Sequence, residues 1–82
     1  MNEAQIIDLI RKALTEVAPG RDFSDLAEET KIETLGLDSI ATMEMVGFIE
    51  EEIDTTFADE ELAKVSKVRD LAGLIRGGRV DA

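Results

Sequence analysis

Residues 38–53 read DSIATMEMVGFIEEEI. The stretch contains no proline and a single glycine, Gly47, and its apolar residues lie on more than one helical face. Asp38 stands where an N-cap belongs, directly after Gly36 and Leu37. The pattern predicts a central helix over residues 39–53 that contacts several neighbouring elements.

The residues before this stretch predict a first helix over residues 3–17, where apolar side chains recur at helical spacing. Asn2 is a good N-cap, and Gln5 three residues later completes a capping box. The dipeptide Pro19-Gly20 is a strong signal that this helix has ended.

Two more helices are predicted after the central one. A short helix is expected over residues 59–64, with Asp59 as its cap. A last helix is expected over residues 67–76, with Ser66 as its cap and Gly77-Gly78 closing its end.

The segment 18–38 is a long loop without sustained periodicity. It carries isolated apolar residues that predict attachment to the core: Phe23, Leu26, Ile32, Leu35 and Leu37. Ser24 or Asp25 is expected to start a short helical turn there. Neither strand alternation nor an internal repeat is present. The expected fold is therefore all-α, a four-helix bundle of three longer helices and one short helix, in a single domain over residues 1–82.

Composition narrows the classes of function. The 82 residues contain 9 Lys and Arg against 19 Asp and Glu, a net charge of −10. Such a field repels nucleic acid and anionic membranes and attracts basic protein surfaces, although acidic residues also serve solubility alone. With no cysteine and no histidine, disulfides and thiolate metal sites are excluded, and the commonest acid–base residue is missing.

The sequence predicts neither a metal site nor a membrane segment. Residues 22–33 and 54–60 both fail the spacing of an EF-hand calcium loop. The start Met1-Asn2-Glu3 is acidic, unlike a signal peptide, and the longest apolar run, residues 45–49, is far too short to span a bilayer. A cytoplasmic protein is expected.

The candidate functional residue is Ser39, in the first turn of the predicted central helix. Free N–H groups and the helix dipole favour a phosphate at such an end, and a serine hydroxyl there can be esterified without disturbing the core. Asp38 is placed to cap the helix and to help position the metal of a modifying enzyme. An Asp-Ser pair is also a common way to begin a helix, so these two residues alone leave both interpretations open.

The surrounding residues resemble the acyl carrier protein family. The similarity is continuous from Leu35 to Ile75, half of the chain, and its most specific parts are Leu35-Gly36-Leu37-Asp38-Ser39-Ile40, Glu44-Met45-Val46, Glu50-Glu51-Glu52-Ile53-Asp54, Asp59-Glu60-Glu61 and Val65-Ser66-Lys67-Val68-Arg69-Asp70-Leu71.

This resemblance implies that Ser39 receives 4′-phosphopantetheine from coenzyme A, attached by a magnesium-dependent phosphopantetheinyl transferase. The arm would supply the thiol that the chain lacks and hold acyl groups as thioesters. The chain would be a monomeric carrier and a substrate of acyl-loading, condensing or modifying enzymes, with no catalysis of its own.

Nine acidic residues and no Lys or Arg lie between Asp38 and Glu61. In the family this surface meets basic patches on partner enzymes, so the resemblance nominates Glu44, Glu50 and Glu51, with Asp38, for docking. A merely solvated helix face is the other interpretation. Ala41 departs from the family pattern at a position where an acid is frequent.

Met43, Val46 and Gly47 are candidates for an acyl pocket, although Met and Val at helical spacing are also ordinary core residues. Gly47 stands where the family often has a larger apolar residue, which suggests room for cargo or close approach of a neighbouring helix.

The leading hypothesis is a discrete carrier for fatty-acid or polyketide synthesis. Two alternatives remain open: a stand-alone aminoacyl or peptidyl carrier of nonribosomal synthesis, and a non-covalent acidic adaptor that binds a basic partner.

Overall fold

A computed structural model describes residues 1–77 of the chain. It contains four α-helices: α1 (Glu3–Val17), α2 (Ser39–Glu52), α3 (Asp59–Leu62) and α4 (Val68–Gly77). Within those 77 residues no strand is present, apart from one isolated bridge between Lys31 and Lys67. The predicted all-α bundle of three longer helices and one short helix is confirmed.

The first helix is amphipathic and capped as predicted. The N–H of Gln5 donates to the side-chain oxygen of Asn2 at 2.8 Å, and the N–H of Asn2 donates to the side chain of Gln5 at 2.8 Å. The inner face of α1 is buried against α2 and α4 by Ile6, Leu9, Ile10, Ala13 and Leu14.

The central helix α2 contributes Met45, Val46 and Ile49 to the core. At its far end Lys12 of α1 lies 3.7 Å from Glu52 and 5.8 Å from the centre of the Phe48 ring. The helix is thus held to α1 along its length, while its N-terminal turn stays exposed.

The long loop 18–38 is fastened to the core through apolar side chains, as the sequence predicts. Phe23, Leu26 and Leu35 are buried, and Nε of Arg11 donates to the carbonyl of Phe23 at 3.1 Å. The helical part of the loop is a 3₁₀ helix at Ile32–Leu35, whereas Ser24 and Asp25 form only a turn. The expectation of a helical turn at those two residues is wrong.

Backbone hydrogen bonds join the loop to Ser66 and to the first two residues of α4. The N–H of Ile32 donates to the carbonyl of Ser66, that of Val68 to Thr30, and that of Arg69 to Glu28, each at 2.9 Å. We call these two paired segments, residues 28–32 and 66–69, the loop junction. It ties together two connections that are far apart in the sequence.

Ion pairs on Glu29 reinforce the loop junction. One carboxylate oxygen lies 2.9 Å from Nζ of Lys67 and the other 2.8 Å from Nη1 of Arg69. The hydrogen bond from Lys67 and the charges of Arg69 and Lys67 hold the pKa of Glu29 below its ordinary value. Any stability from these pairs is therefore present above the ordinary pKa and is lost as pH falls through the lowered one.

The predicted caps of the two last helices need correction. Asp59 is the first residue of α3, the N-cap is Ala58, and α3 ends at Leu62 rather than at residue 64. Ser66 does not act through its hydroxyl; instead the Asp70 carboxylate accepts the N–H groups of Ser66 and Lys67 at 3.0 and 2.9 Å. These two bonds lower the pKa of Asp70.

The helix ends differ from prediction at two more places. The central helix ends at Glu52, with Ile53 as C-cap, one residue earlier than expected. Helix α4 covers Val68–Gly77 rather than residues 67–76, so the expected Gly77-Gly78 closure lies partly outside the described residues.

Two glycine substitutions test the backbone of α2 and of the turn that precedes it. A Cβ built on Gly47 meets no atom within 4 Å, so Gly47→Ala should raise the free energy of unfolding by about 1 kcal/mol, because alanine is the better helix former. Gly36 has a φ of +75°, and Gly36→Ala should lower stability by about 1 kcal/mol. Urea denaturation of both variants measures these changes, and a loss of stability in Gly47→Ala would contradict the open space around it.

Candidate functional site

The hydroxyl of Ser39 lies at the solvent-exposed N-terminus of α2. The 3₁₀ helix ends at Leu35. Its C-cap Gly36 adopts the left-handed conformation, which turns the chain toward α2. The Ser39 hydroxyl has no hydrogen-bond partner among residues 1–77. It is therefore free to accept a covalent group without loss of an existing contact.

Asp38 caps the helix as predicted. Its Oδ1 accepts the N–H of Ala41 at 2.7 Å, and its carbonyl accepts the N–H and the hydroxyl of Thr42 at 3.0 and 2.9 Å. The N–H groups of Ser39 and Ile40 find no partner among the described residues. Two free donors and the helix dipole beside the hydroxyl suit a phosphodiester at this position.

Two large apolar side chains flank the hydroxyl. Ile40 is 70% exposed and Met43 is 61% exposed, and within residues 1–77 they are the exposed large apolar residues inside the helices. They form a shallow apolar surface with Ser39 and the carbon chain of Glu44. Exposed groups of this size beside a modifiable hydroxyl indicate a surface for contact with another molecule.

An apolar cleft of about 430 Å³ opens next to this surface. Its volume lies within the range of small-molecule sites, about 300–1,000 Å³. The cleft lies between α2, α3 and the loop junction, and is lined by Ile32, Thr42, Met43, Met45, Val46, Asp59, Leu62, Ala63, Val65 and Leu71. The structure thus places Met43 and Val46, predicted as pocket residues, in one cavity wall.

Gly47 does not belong to this cleft. It lines a separate surface depression with Glu50, Glu51 and Asp54, and open space surrounds the position of its missing Cβ. Gly47 is therefore not part of the cleft that Met43 and Val46 line, and the suggestion that a neighbouring helix approaches it closely is wrong.

The nominated acidic residues differ in their surroundings. Glu44 and Glu51 are exposed, and neither side chain has a partner within residues 1–77. Glu50 is half-buried, and its Oε2 accepts the N–H of Phe57 at 2.8 Å. Because Phe57 is a core residue, Glu50 fastens the α2–α3 connection in addition to carrying charge.

Residues 4–75 match the family described as the phosphopantetheine attachment site. The chain is 36% identical to an acyl carrier protein of an Exiguobacterium species, over 92% of this chain and 95% of the relative. It is 32% identical to the actinorhodin polyketide synthase acyl carrier protein of Streptomyces coelicolor, over 92% and 91% of the two chains. The chain belongs to the phosphopantetheine attachment site family.

The fold of the carrier agrees with this membership. The crystal structure of an acyl carrier protein from Thermotoga maritima aligns with a TM-score of 0.72 and 31% identity, covering 93% of this chain and 92% of the other. The protein is an acyl carrier with a covalently attached 4′-phosphopantetheine, and a phosphopantetheinyl transferase and biosynthetic enzymes interact with it.

Within residues 1–77 no group of three or more acidic side chains is arranged to hold a metal ion. In the same range no helix is long and apolar enough to cross a membrane.

Sequence patterns did not identify two parts of the site. The cleft residues Ile32, Leu62 and Val65 come from distant segments, and no periodicity links them. The hydrogen bond from Phe57 to Glu50 joins a loop to a helix. Glu50 is the first of three consecutive glutamates, so the sequence does not show which of the three makes this bond. A buried aromatic residue seven positions after an acid is too weak a signal to distinguish them.

Removal of the Glu50 carboxylate tests its structural contact. Glu50→Ala leaves the N–H of Phe57 unpaired, so the free energy of unfolding should fall by about 1–2 kcal/mol. The control Glu51→Ala removes the same charge from an exposed position and should change stability by less than about 0.5 kcal/mol. Thermal and urea unfolding compare the two; equal losses would contradict a structural role for Glu50.

Proposed function

We propose that Ser39 is the residue that carries the phosphopantetheine arm. Its free, exposed hydroxyl at the start of α2 carries the proposal. It lies within the part of the chain that matches the attachment-site family. The partnerless N–H groups of Ser39 and Ile40 support the same assignment, since they suit a phosphate oxygen.

The attachment forms one bond and breaks another. The Ser39 oxygen bonds to the phosphorus on the pantetheine side of coenzyme A, the P–O bond to the nucleotide part breaks, and the serine proton leaves to the transferase. Asp38 stands beside this oxygen, and we assign it the additional role of helping to position the magnesium ion of the transferase. The hydrogen bond that its carboxylate accepts from Ala41 holds the N-terminus of α2 in place.

The arm supplies a thiol that holds the acyl group as a thioester. The chain has no cysteine, so no side-chain thiol competes for the acyl group. The contribution of the chain is to present the arm and to be recognised; catalysis belongs to the partner enzymes. We assign the carrier to fatty-acid or polyketide synthesis, in line with its relatives, which include a polyketide synthase acyl carrier protein. We also assign it to the cytoplasm, where it would act as a monomer.

Mass spectrometry tests the attachment residue. After incubation with coenzyme A, magnesium and a phosphopantetheinyl transferase, the wild-type protein should gain the mass of one phosphopantetheinyl group. Ser39→Ala should gain nothing, while Ser24→Ala, which removes another exposed hydroxyl, should be modified like wild type. Modification of Ser39→Ala would place the arm elsewhere.

The docking surface is assigned to the exposed acids around Ser39. Asp38, Glu44 and Glu51 are exposed on α2, and the apolar pair Ile40 and Met43 lies among them. An apolar centre within a charged rim is the usual arrangement of a protein interface. Glu50 belongs to the same acidic surface, although its carboxylate also holds Phe57.

Charge reversal tests docking without disturbing the Glu50 contact. The double variant Glu44→Lys, Glu51→Lys should slow transfer of the arm about tenfold at low ionic strength, because long-range attraction raises association rates. The effect should shrink at high salt. The matched control Glu16→Lys, Glu33→Lys changes the charge equally at exposed positions outside α2. Equal slowing by both double variants would contradict a localised docking surface.

The apolar cleft is assigned to the acyl chain. Met43 is both part of the surface around Ser39 and part of the cleft lining. A chain on the arm thus has a continuous apolar route from the attachment site to Met45 and Val46, which are buried at the cleft wall.

A further inference from the structure

The loop junction forms one side of the apolar cleft. Ile32 belongs to the junction and lines the cleft, and its N–H donates to the carbonyl of Ser66. Val65, which precedes Ser66, lines the cleft as well. The separation of these two apolar side chains is therefore set by the backbone bonds between residues 28–32 and 66–69.

Helix α3 also borders the cleft, through Asp59 and Leu62. Helix α3 has four residues, none of them buried, and no side chain caps its N-terminus. The loop junction instead has three backbone bonds of 2.9 Å and the two ion pairs of Glu29. Widening the cleft between Ile32 and Val65 requires the junction to open.

Glu29 acts on this opening rather than on overall stability. Its side chain is 65% exposed, and exposed ion pairs contribute little to the unfolding of a whole domain. Its two cationic partners flank Val68, however, and Lys67 forms the bridge with Lys31. Separating residues 28–32 from residues 66–69 therefore breaks both ion pairs together with the backbone bonds.

We propose that Glu29 is a specificity-determining residue: its ion pairs with Lys67 and Arg69 hold Ile32 and Val65 together and thereby limit the length of acyl chain that the cleft accepts. This inference rests on the proposed role of the cleft in holding the acyl chain. Loss of the ion pairs makes the cleft wall easier to open and admits longer cargo.

Hydrogen exchange of the unloaded protein tests the first half of the proposal. In Glu29→Gln the amides of Ile32, Val68 and Arg69 should exchange about two- to fivefold faster than in wild type, the effect expected for an exposed ion pair. The control Glu33→Gln removes an equal charge from the same loop, where the carboxylate has no partner within residues 1–77, and should leave these rates unchanged. Unchanged rates in Glu29→Gln overturn the proposal.

Chain-length dependence tests the second half. Wild type, Glu29→Gln and Glu33→Gln are loaded with butanoyl, octanoyl or dodecanoyl arms by a phosphopantetheinyl transferase, and the rise in unfolding temperature over the acetyl form is measured. The rise should level off at octanoyl in wild type and in Glu33→Gln. In Glu29→Gln dodecanoyl should add about 4 °C or more, because further methylene groups are buried.

The outcomes separate this inference from the proposed function. If all three proteins load and show the same dependence on chain length, Glu29 does not limit the cargo and the inference is overturned. If Ser39 accepts no arm in any of them, the assignment of the attachment residue fails instead, and the inference fails with it. If chains of every length leave the unfolding temperature unchanged, the role of the cleft and the inference built on it are both overturned.

Discussion

The bond between the Asp38 carboxylate and the N–H of Ala41, 2.7 Å long, fixes the point at which α2 begins. Without this cap, the first turn of the helix would have to rely on water for its free donors. The left-handed conformation of Gly36 delivers the chain to that point, and burial of Met45, Val46 and Ile49 prevents the helix from rotating. Together they present Ser39 to solvent in one defined position.

The acidic residues of the carrier differ in what their oxygens contact. Glu44 and Glu51 are exposed and available to partners, whereas Asp38, Glu50 and Asp70 accept backbone N–H groups within the chain. The chain thus uses carboxylates both as a charged surface and as caps for connections in a small domain. A count of charges does not distinguish these roles. Substitution of an exposed carboxylate changes the surface charge, whereas substitution of a capping carboxylate also removes a hydrogen bond to the backbone.

Much of the fold was predictable because its signals are local. The capping box of Asn2 and Gln5, the cap at Asp38 and the apolar residues that fasten the long loop depend on short-range spacing, and the structure confirms them. The boundaries of α3 and α4 were less accurate, because Asp59 and Ser66 are both plausible caps. The start of α4 depends on tertiary contacts, which include the hydrogen bonds of the Asp70 carboxylate and the pairing with residues 28–32.

The candidate site shows the same division. Ser39 and Asp38 stand next to each other in a recognisable segment, so the sequence identified them directly. The cleft wall formed by Ile32 and Val65 depends on two loops meeting in space. The sequence made Gly47 a pocket candidate together with Met43 and Val46, but Gly47 lines a different depression on the surface of α2.

The loop junction also has a consequence for how the chain folds. Its ion pairs join residues 38 and 40 positions apart in sequence, whereas the turns of α1 and α2 depend on near neighbours. Contacts of such separation require closure of a large segment before they gain any energy. We therefore expect the helices to form early and the junction to close among the last events, so that the proposed acyl cleft is complete only when folding is complete.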